Sequence, residues 1–328
     1  MDLPLIFLFL MGVAVLAYVV LDGYDLGVGM LMPAATDEEQ SIMVASIGPF
    51  WDANETWLVL GVGILLIAFP AAYGVILGAL YLPVVVMLVG LMLRGVAFEF
   101  RIKAEGWHRE LWNWLFWAGS FVASFSQGVM LGRYLTAFES GFFYIAFAAL
   151  VGASLCGGYV LLGATWLIAK TEGALQQKAV SWARWGLLWV ALGIGLVSLA
   201  TPIASETVRH KWFDFPATIP LLLLPAACAV AWLWIWKAVG RFRKGEAVHE
   251  WRPFAGAVLI FALAFLGLAY SVFPFIVIDR MTIRDAAAHP SALKVVLVGA
   301  LVVLPFIVGY TIVAYRIFRG KAKAGLYD

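Results

Sequence analysis

The sequence predicts an all-α integral membrane protein: nine transmembrane helices, built as two four-helix bundle repeats plus one peripheral helix. Three observations carry that prediction. First, 64% of the 328 residues are hydrophobic and 13% are charged, with a mean hydropathy of +0.95; a water-soluble domain cannot hide so much apolar surface. Second, nine apolar runs reach the roughly 20 residues that an α-helix needs to cross the hydrocarbon core. Third, the 22 Lys and Arg residues segregate between alternate loops, as the positive-inside rule requires of a membrane topology. The 15 Trp and 23 Phe fit the same class, because aromatic rings collect at membrane–water interfaces. A net charge of +2 gives no support for a nucleic-acid partner.

In chain order, the first span covers 4–32. Its start, MDLPLIFLFL, lacks the basic segment of a cleaved signal peptide and reads as helix. Spans at 56–73 and 75–98 are joined by FPAAYG, a tight Pro/Gly hairpin in which Pro70 ends the preceding helix by breaking the hydrogen-bond ladder. Further spans follow at 112–132, 141–169, 185–204, 216–237, 254–278 and 292–316. Cys156 and Cys228 lie far apart in apolar runs and read as packing residues. No basic residue precedes the first span, 16 follow odd-numbered spans, and six follow even-numbered ones. That bias places the N-terminus outside and the C-terminus in the cytoplasm.

The chain also matches itself. Trp57–Pro70 can be laid on Trp189–Pro202 with six of fourteen positions identical. Gly23-Tyr24-x-Leu26 matches Gly158-Tyr159-x-Leu161, and Phe100-Arg101 with His108 resembles Phe242-Arg243 with His249. The matches keep their order along the chain. They divide one membrane domain, 1–328, into a first repeat at 1–135, a second at 136–280, and a ninth helix with a cytoplasmic tail at 281–328. An even number of spans per repeat makes the two copies parallel.

Four carboxylates stand out against this apolar background. Asp22 and Asp25, in LDGYDLGVG, lie near the end of the first span; Asp52 and Glu55, in GPFWDANETW, lie at the start of the second. A spacing of three puts each pair on one helical face. An Asp at the bilayer centre costs about 2.5–3.5 kcal/mol on insertion scales. Two readings are open. The acids are interfacial, solvated or bonded to backbone near helix ends, with Asp52 or Asn54 as an N-cap; or they face an interior cavity and form a proton entry path. On the repeat alignment Asp25, Asp52 and Glu55 fall opposite Val160, Arg184 and Leu187. The scaffold therefore does not require acids at these places, which favours the second reading. Both pairs flank a cytoplasmic loop containing TDEEQ, without a single Lys or Arg. Arg94 falls inside the third apolar run and is followed by Glu99 and Arg101. It either snorkels near the cytoplasmic end or is a buried partner for one of the acids or for a bound anionic group.

The four histidines, His108, His210, His249 and His289, all fall in loops on this span map. No span then carries the imidazole pair of an intramembrane haem site, and no CxxCH or Cys/His cluster points to haem attachment or zinc. Phosphate-binding and nucleophile-elbow motifs are absent from the sequence as well.

At LDGYDLGVGML, PFWDANETWLVLGVG, FPAAY and LMLRGVAFEFR the sequence resembles subunit II of the cytochrome bd-type quinol oxidases. The resemblance extends over nearly the whole chain, and the length is similar to that of the shorter branch, which includes cyanide-insensitive enzymes. It implies a complex with a homologous, haem-bearing subunit I that holds haems b and d and the quinol-oxidising loop. It implies oxidation of ubiquinol or menaquinol, reduction of dioxygen to water, and chemical protons taken from the cytoplasm rather than pumped. It also implies that this chain binds no haem, is not catalytic alone, and lies in the bacterial cytoplasmic (inner) membrane. In the family the aspartates of GYDLG and of the WD motif line a proton channel; these are Asp25 and Asp52 here. Asp22 and Glu55 extend that expected path as neighbours on the same faces, and Arg94, Glu99 and Arg101 are expected in a buried ion pair or an interface. Some members hold a structural quinone in this subunit, and a small single-span accessory subunit is a further possible partner; no motif here bears on either. A stand-alone proton-coupled transporter would also use parallel repeats and intramembrane acids, but the second repeat carries no polar substrate-binding cluster.

Overall fold

A computed structural model of the chain describes residues 2–213, 215, 218–246 and 248–323. In chain order the elements are α1 (Leu3–Leu31), α2 (Asp37–Ile47), α3 (Trp51–Ala68), α4 (Pro70–Ala79), α5 (Tyr81–Lys103), α6 (Gly106–Leu135), α7 (Phe142–Lys170) and α8 (Gly173–Ala204). There follow α9 (Glu206–Phe213), α10 (Thr218–Leu221), α11 (Leu223–Arg243), α12 (Trp251–Val272), the strands β1 (Phe275–Val277) and β2 (Met281–Thr282), and α13 (Pro290–Ile317). Among the described residues nine helices, α1, α3, α5 to α8 and α11 to α13, are long and apolar enough to cross a membrane. These are the nine spans that the apolar runs predict.

The helices α1 and α7 cross at the centre. α1 packs on α3, α6 and α7; α7 packs in turn on α6, α8 and α12; α5 lies on α6, and α11 lies against α8 and α12. Glycines permit the central crossing. A Cβ on Gly27 would sit 1.8 Å from the Tyr159 carbonyl oxygen, and one on Gly163 would sit 2.4 Å from the Gly27 carbonyl carbon. Lipid tails give helices no hydrophobic reason to associate, so close backbone packing supplies the attraction. Around the crossing Tyr24, Leu26, Tyr159, Leu162 and Trp166 form the main core. Most apolar side chains of α13 stay uncovered, Phe306 and Val295 among them. Its end is nonetheless fixed. Lys170 Nζ donates to the Phe318 and Gly320 carbonyls, and Lys321 Nζ donates to the Thr171 carbonyl at 3.0 Å and to Glu250 at 2.5 Å.

Several local expectations are corrected, each with a physical cause. FPAAYG is not a tight hairpin. α3 ends at Ala68, and Pro70 opens α4 at its first position, where the missing N–H is harmless and φ is already helical. The third span therefore begins at Tyr81 rather than at 75. The eighth span stops at Val272 rather than at 278. Pro274 cannot extend the helix, and the β-branched FIVI run then pairs as the antiparallel β1–β2 hairpin. The repeat boundary expected at 280 falls in the turn of that hairpin. TDEEQ is not a loop but the start of α2. Thr36 Oγ1 accepts from the Glu39 N–H at 3.4 Å, and Glu39 accepts from the Thr36 N–H at 2.8 Å, a reciprocal capping box. The seventh span is α11, from Leu223; its expected start at 216, like tail residues 324–328, lies outside the described residues.

The alternation of spans defines two faces. The α2 face carries the ends of α1, α5, α7, α11 and α13; the hairpin face carries α4, α9 and β1–β2.

Candidate functional site

The acids of α1 are inside the protein. Asp22 lies nine residues before the end of α1, about 13 Å along the helix at 1.5 Å per residue. Asp22 and Asp25 both have no exposed surface, so the interfacial, solvated reading does not apply to them. α7 closes over this stretch because residue 23 is glycine: a Cβ there would lie 2.7 Å from the Tyr159 ring. A bare buried carboxylate is too costly to keep, so it needs a counter-charge or hydrogen-bond donors.

For Asp22 the counter-charge is Arg94. Its Nη1 donates to Asp22 Oδ1 at 2.6 Å, and its Nη2 donates to Glu55. Arg94 is 1% exposed and the Glu55 side chain 29%. α5 can bring Arg94 this deep because Gly119 of α6 leaves room for its backbone; a Cβ on Gly119 would lie 2.8 Å from the Arg94 nitrogen. The guanidinium also stands 5.8 Å from the Trp51 ring centroid, within cation–π range.

Asp25 has a neutral partner. Asn54 Nδ2 donates to Asp25 Oδ2 at 2.8 Å and lies 3.0 Å from the Tyr24 hydroxyl. The Tyr24 and Tyr315 hydroxyls are 2.6 Å apart, and Tyr315 donates to Asn54 Oδ1 at 3.3 Å. α13 thus reaches the cluster through one tyrosine. Further along α1, Tyr18 stands beside Asp22. Its hydroxyl accepts from Gln127 Nε2 at 2.7 Å, and Tyr159 donates to Gln127 Oε1 at 2.6 Å. One oxygen of each buried carboxyl, Asp22 Oδ2 and Asp25 Oδ1, has no partner among the described residues. Such an oxygen is available to a proton or to water.

The structure gathers Asp22, Asp25, Glu55 and Arg94 into one cluster. Asp52 sits exposed on α3, one turn before Glu55. Glu99 is exposed on α5. Arg101 is buried but belongs to a different contact: its Nε donates to Asn113 Oδ1 at 2.5 Å and its Nη2 to Ser41 at 3.3 Å, pinning α2 to α5 and α6. Asn113 Nδ2 completes that contact with Gln40 Oε1 at 2.6 Å. On α2 the Glu39 carboxyl receives Lys178 Nζ at 2.6 Å. Burial works to raise Glu39, and the Lys178 and Thr36 hydrogen bonds outweigh it, holding the group below the usual carboxylate range.

The residues that sequence reasoning missed are neutral. Asn54 entered only as a possible cap, Tyr24 only as part of a repeat match, and Tyr18, Gln127 and Tyr315 not at all. Gln127 carried a readable signal, an amide inside an apolar run. The tyrosines carried none, since Tyr is ordinary at a membrane interface. The histidines also need a correction. His108 is in the first turn of α6, which starts earlier than hydropathy alone suggests, and His210 is on α9, a short polar helix that hydropathy does not reveal. All four imidazoles are exposed.

The model for cytochrome bd terminal oxidase subunit II matches residues 3–318 of this chain. The chain is 30% identical over 336 residues to the cytochrome bd ubiquinol oxidase subunit 2 of Bacillus subtilis (strain 168), covering 96% of this chain and 95% of that protein. It is 30% identical over 358 residues to the cytochrome bd-I ubiquinol oxidase subunit 2 of Escherichia coli (strain K12), covering 95% and 93%. Its fold is similar to a chain of the bd oxidase from Geobacillus thermodenitrificans, with a TM-score of 0.78 at 16% identity, covering 97% and 99%. With the nine spans in place and a match running almost from end to end, the chain belongs to the cytochrome bd terminal oxidase subunit II family.

Proposed function

We propose that this chain is the haem-free, proton-conducting member of its oxidase. As subunit II of a bd-type quinol oxidase it is part of an oxygen-reducing membrane complex with subunit I, and haem belongs to that complex. The donor set of this chain does not suit haem. An intramembrane bis-imidazole haem takes His from facing helices, and the four imidazoles here are exposed at helix ends and turns, which leaves buried Met and Cys such as Met32 and Cys156 without a His partner. We therefore assign haems b and d to subunit I. Dioxygen reduction consumes protons, and this chain's part is to bring them in from the α2 face, which the basic loops mark as cytoplasmic.

The observation that carries the reading is a gradient of exposure along linked acids: Asp52 exposed, Glu55 29% exposed, Asp22 and Asp25 fully buried. Asp52 and Glu55 are one turn apart on one face of α3, and Asp22 and Asp25 likewise on α1. Arg94 cannot deprotonate, so it does not relay; it holds Asp22 and Glu55 in register across three helices. Asp25 touches a neutral amide instead. It can gain and lose a proton without breaking an ion pair, which makes it the relay group. The outer acids open on the side of α3 and α5, where Val59, Met92 and Val96 remain exposed. We place subunit I against that apolar side, and we read the two halves of the chain as parallel four-helix repeats.

The test is turnover of the purified two-subunit complex. Asp25→Asn and Asp52→Asn are expected to leave assembly and haem spectra intact and to lower oxygen consumption. Full turnover with normal proton uptake in both variants would sink the proposal, and loss of haem would point to an assembly role instead.

A further inference from the structure

The second half of the chain holds a site of opposite charge. Between α8 and α11 a groove of about 390 Å³ is lined by Arg184, Trp236, Gly240, Arg243 and Lys244. Three of these five residues are cations and none is an acid. The Arg184 guanidinium lies over the Trp236 ring, 4.9 Å from its centroid, a cation–π contact that holds it at the groove. Trp236 in turn stacks on Trp232 at 5.2 Å, and Trp232 Nε1 donates to the Leu187 carbonyl at 2.8 Å, tying the two walls together. Glu246, just past α11, is turned to Arg241 at 2.6 Å and does not neutralise the groove. A Cβ built on Gly240 meets nothing within 4 Å, so the floor is open.

Depth identifies the level of the groove in the membrane. From Arg184 to the end of α8 at Ala204, and from the start of α11 at Leu223 to Arg243, the helices each run about 30 Å. That is the thickness of a hydrocarbon core. Both arginines therefore stand at the headgroup level of the α2 face. Beyond them toward the hydrocarbon, Trp185, Leu188, Leu192, Val230 and Leu233 are exposed, an apolar surface along the same two helices.

We propose that this groove binds the phosphodiester headgroup of an anionic membrane lipid, whose acyl chains lie along the exposed apolar side of α8 and α11. Arg184 meets the phosphate oxygens with its planar fork, and Arg243 and Lys244 close on the same charge as flexible cations. Three cations that converge on one groove without an acid among them are stabilised by an anionic ligand, and a zwitterionic headgroup gives no net charge to match them. A free phosphate would satisfy the same donors but would leave the apolar side bare. The site shares no residue with the carboxylate cluster.

The test uses the purified two-subunit complex, delipidated in detergent and titrated by native mass spectrometry with phosphatidylglycerol, phosphatidylcholine or inorganic phosphate. We expect saturable phosphatidylglycerol binding that inorganic phosphate does not displace. The Arg184→Gln/Arg243→Gln variant is expected to weaken it at least about tenfold, a change typical of losing charge-assisted hydrogen bonds. Gly240→Glu, which places a carboxylate in the floor, tests the same groove if the double variant fails to assemble. Both variants should keep the haem spectrum and turnover of the parent. Unchanged phosphatidylglycerol binding in the variants, equal binding of phosphatidylcholine, displacement by inorganic phosphate, or a co-purifying protein seated in the groove would each overturn the proposal.

Discussion

Read as the parallel repeats proposed above, the two halves of this chain carry opposite chemistry. On the repeat alignment, Asp22, Asp25, Asp52, Glu55 and Arg94 of the first half fall opposite Gly157, Val160, Arg184, Leu187 and Trp236 of the second. In the first half, Arg94 reaches from α5 between acids on α1 and α3. In the second half, the α11 position holds Trp236, and the arginine stands on α8 and lies over it. Where Asp22 occupies α1, α7 has Gly157, and a Cβ there would lie 1.5 Å from the Trp189 ring. That indole fills the space, and its N–H is satisfied by the Ala153 carbonyl at 3.1 Å. Leu187, opposite Glu55, is fully buried. The frame thus closes well with glycine, leucine and tryptophan. Replacing buried ion pairs by apolar residues is often neutral or stabilising by about 1–4 kcal/mol. That the second half closes without such a cluster supports the proposal that the first half keeps it for chemistry.

Breaking the first-half solution at its cation should have the largest effect. Arg94→Met leaves Asp22 buried without its counter-charge, a loss of about 3–5 kcal/mol, read as a lower thermal midpoint and poor recovery of the complex. Asp22→Leu/Arg94→Met should recover most of that stability while staying slow in turnover. A double variant no more stable than Arg94→Met would show that the frame does depend on the ion pair. Next comes Asp25→Asn, expected to lower oxygen consumption at least about tenfold, within the usual range for a lost proton-transfer group; Asp52→Asn should cost less, because Glu55 stands one turn further in. Gly157→Ala strikes the second half. Overpacking against Trp189 should cost about 1–3 kcal/mol, seen as a lower thermal midpoint with unchanged turnover per assembled complex.

The smallest effect concerns pH at the end of α13. Burial works to raise the Glu250 carboxyl, and the Lys321 and Gln176 hydrogen bonds outweigh it, leaving the group below its ordinary value. A depressed carboxyl stabilises the clamp above the ordinary carboxylate range and loses that contribution as pH falls through the lowered value. A spin label at Lys323 should be immobilised near pH 7 and released only as pH falls below the ordinary carboxylate range. Immobilisation unchanged down to pH 3 would assign the clamp to the Lys170–carbonyl bonds alone.

How much of this was legible depends on the kind of signal. Asp22, Asp25 and Arg94 were visible because charge in an apolar run violates the rule that governs every other position there. Their mutual pairing was not, since it needs α1, α3 and α5 brought together, with Gly119 of α6 admitting the Arg94 backbone, and close approach leaves no periodic trace. Asn54 looked like a cap because caps and buried hydrogen-bonding amides share residue types. α2 was readable in Thr36 and Glu39, but an acidic stretch between two spans reads as loop when hydropathy is the guide. α4 was hidden because its apolar residues merge with the next span, and only Pro70 marks the break. The basic groove needed both Arg184 and Trp236, whose chain separation gives no motif.

The most direct test of the central claim is proton uptake from the α2 face during a single turnover of the reconstituted complex, comparing Asp25→Asn with Asp25→Glu. A relay carboxyl predicts that the asparagine variant loses the uptake phase and that glutamate restores it. Uptake in Asp25→Asn as fast as in the parent would contradict the account.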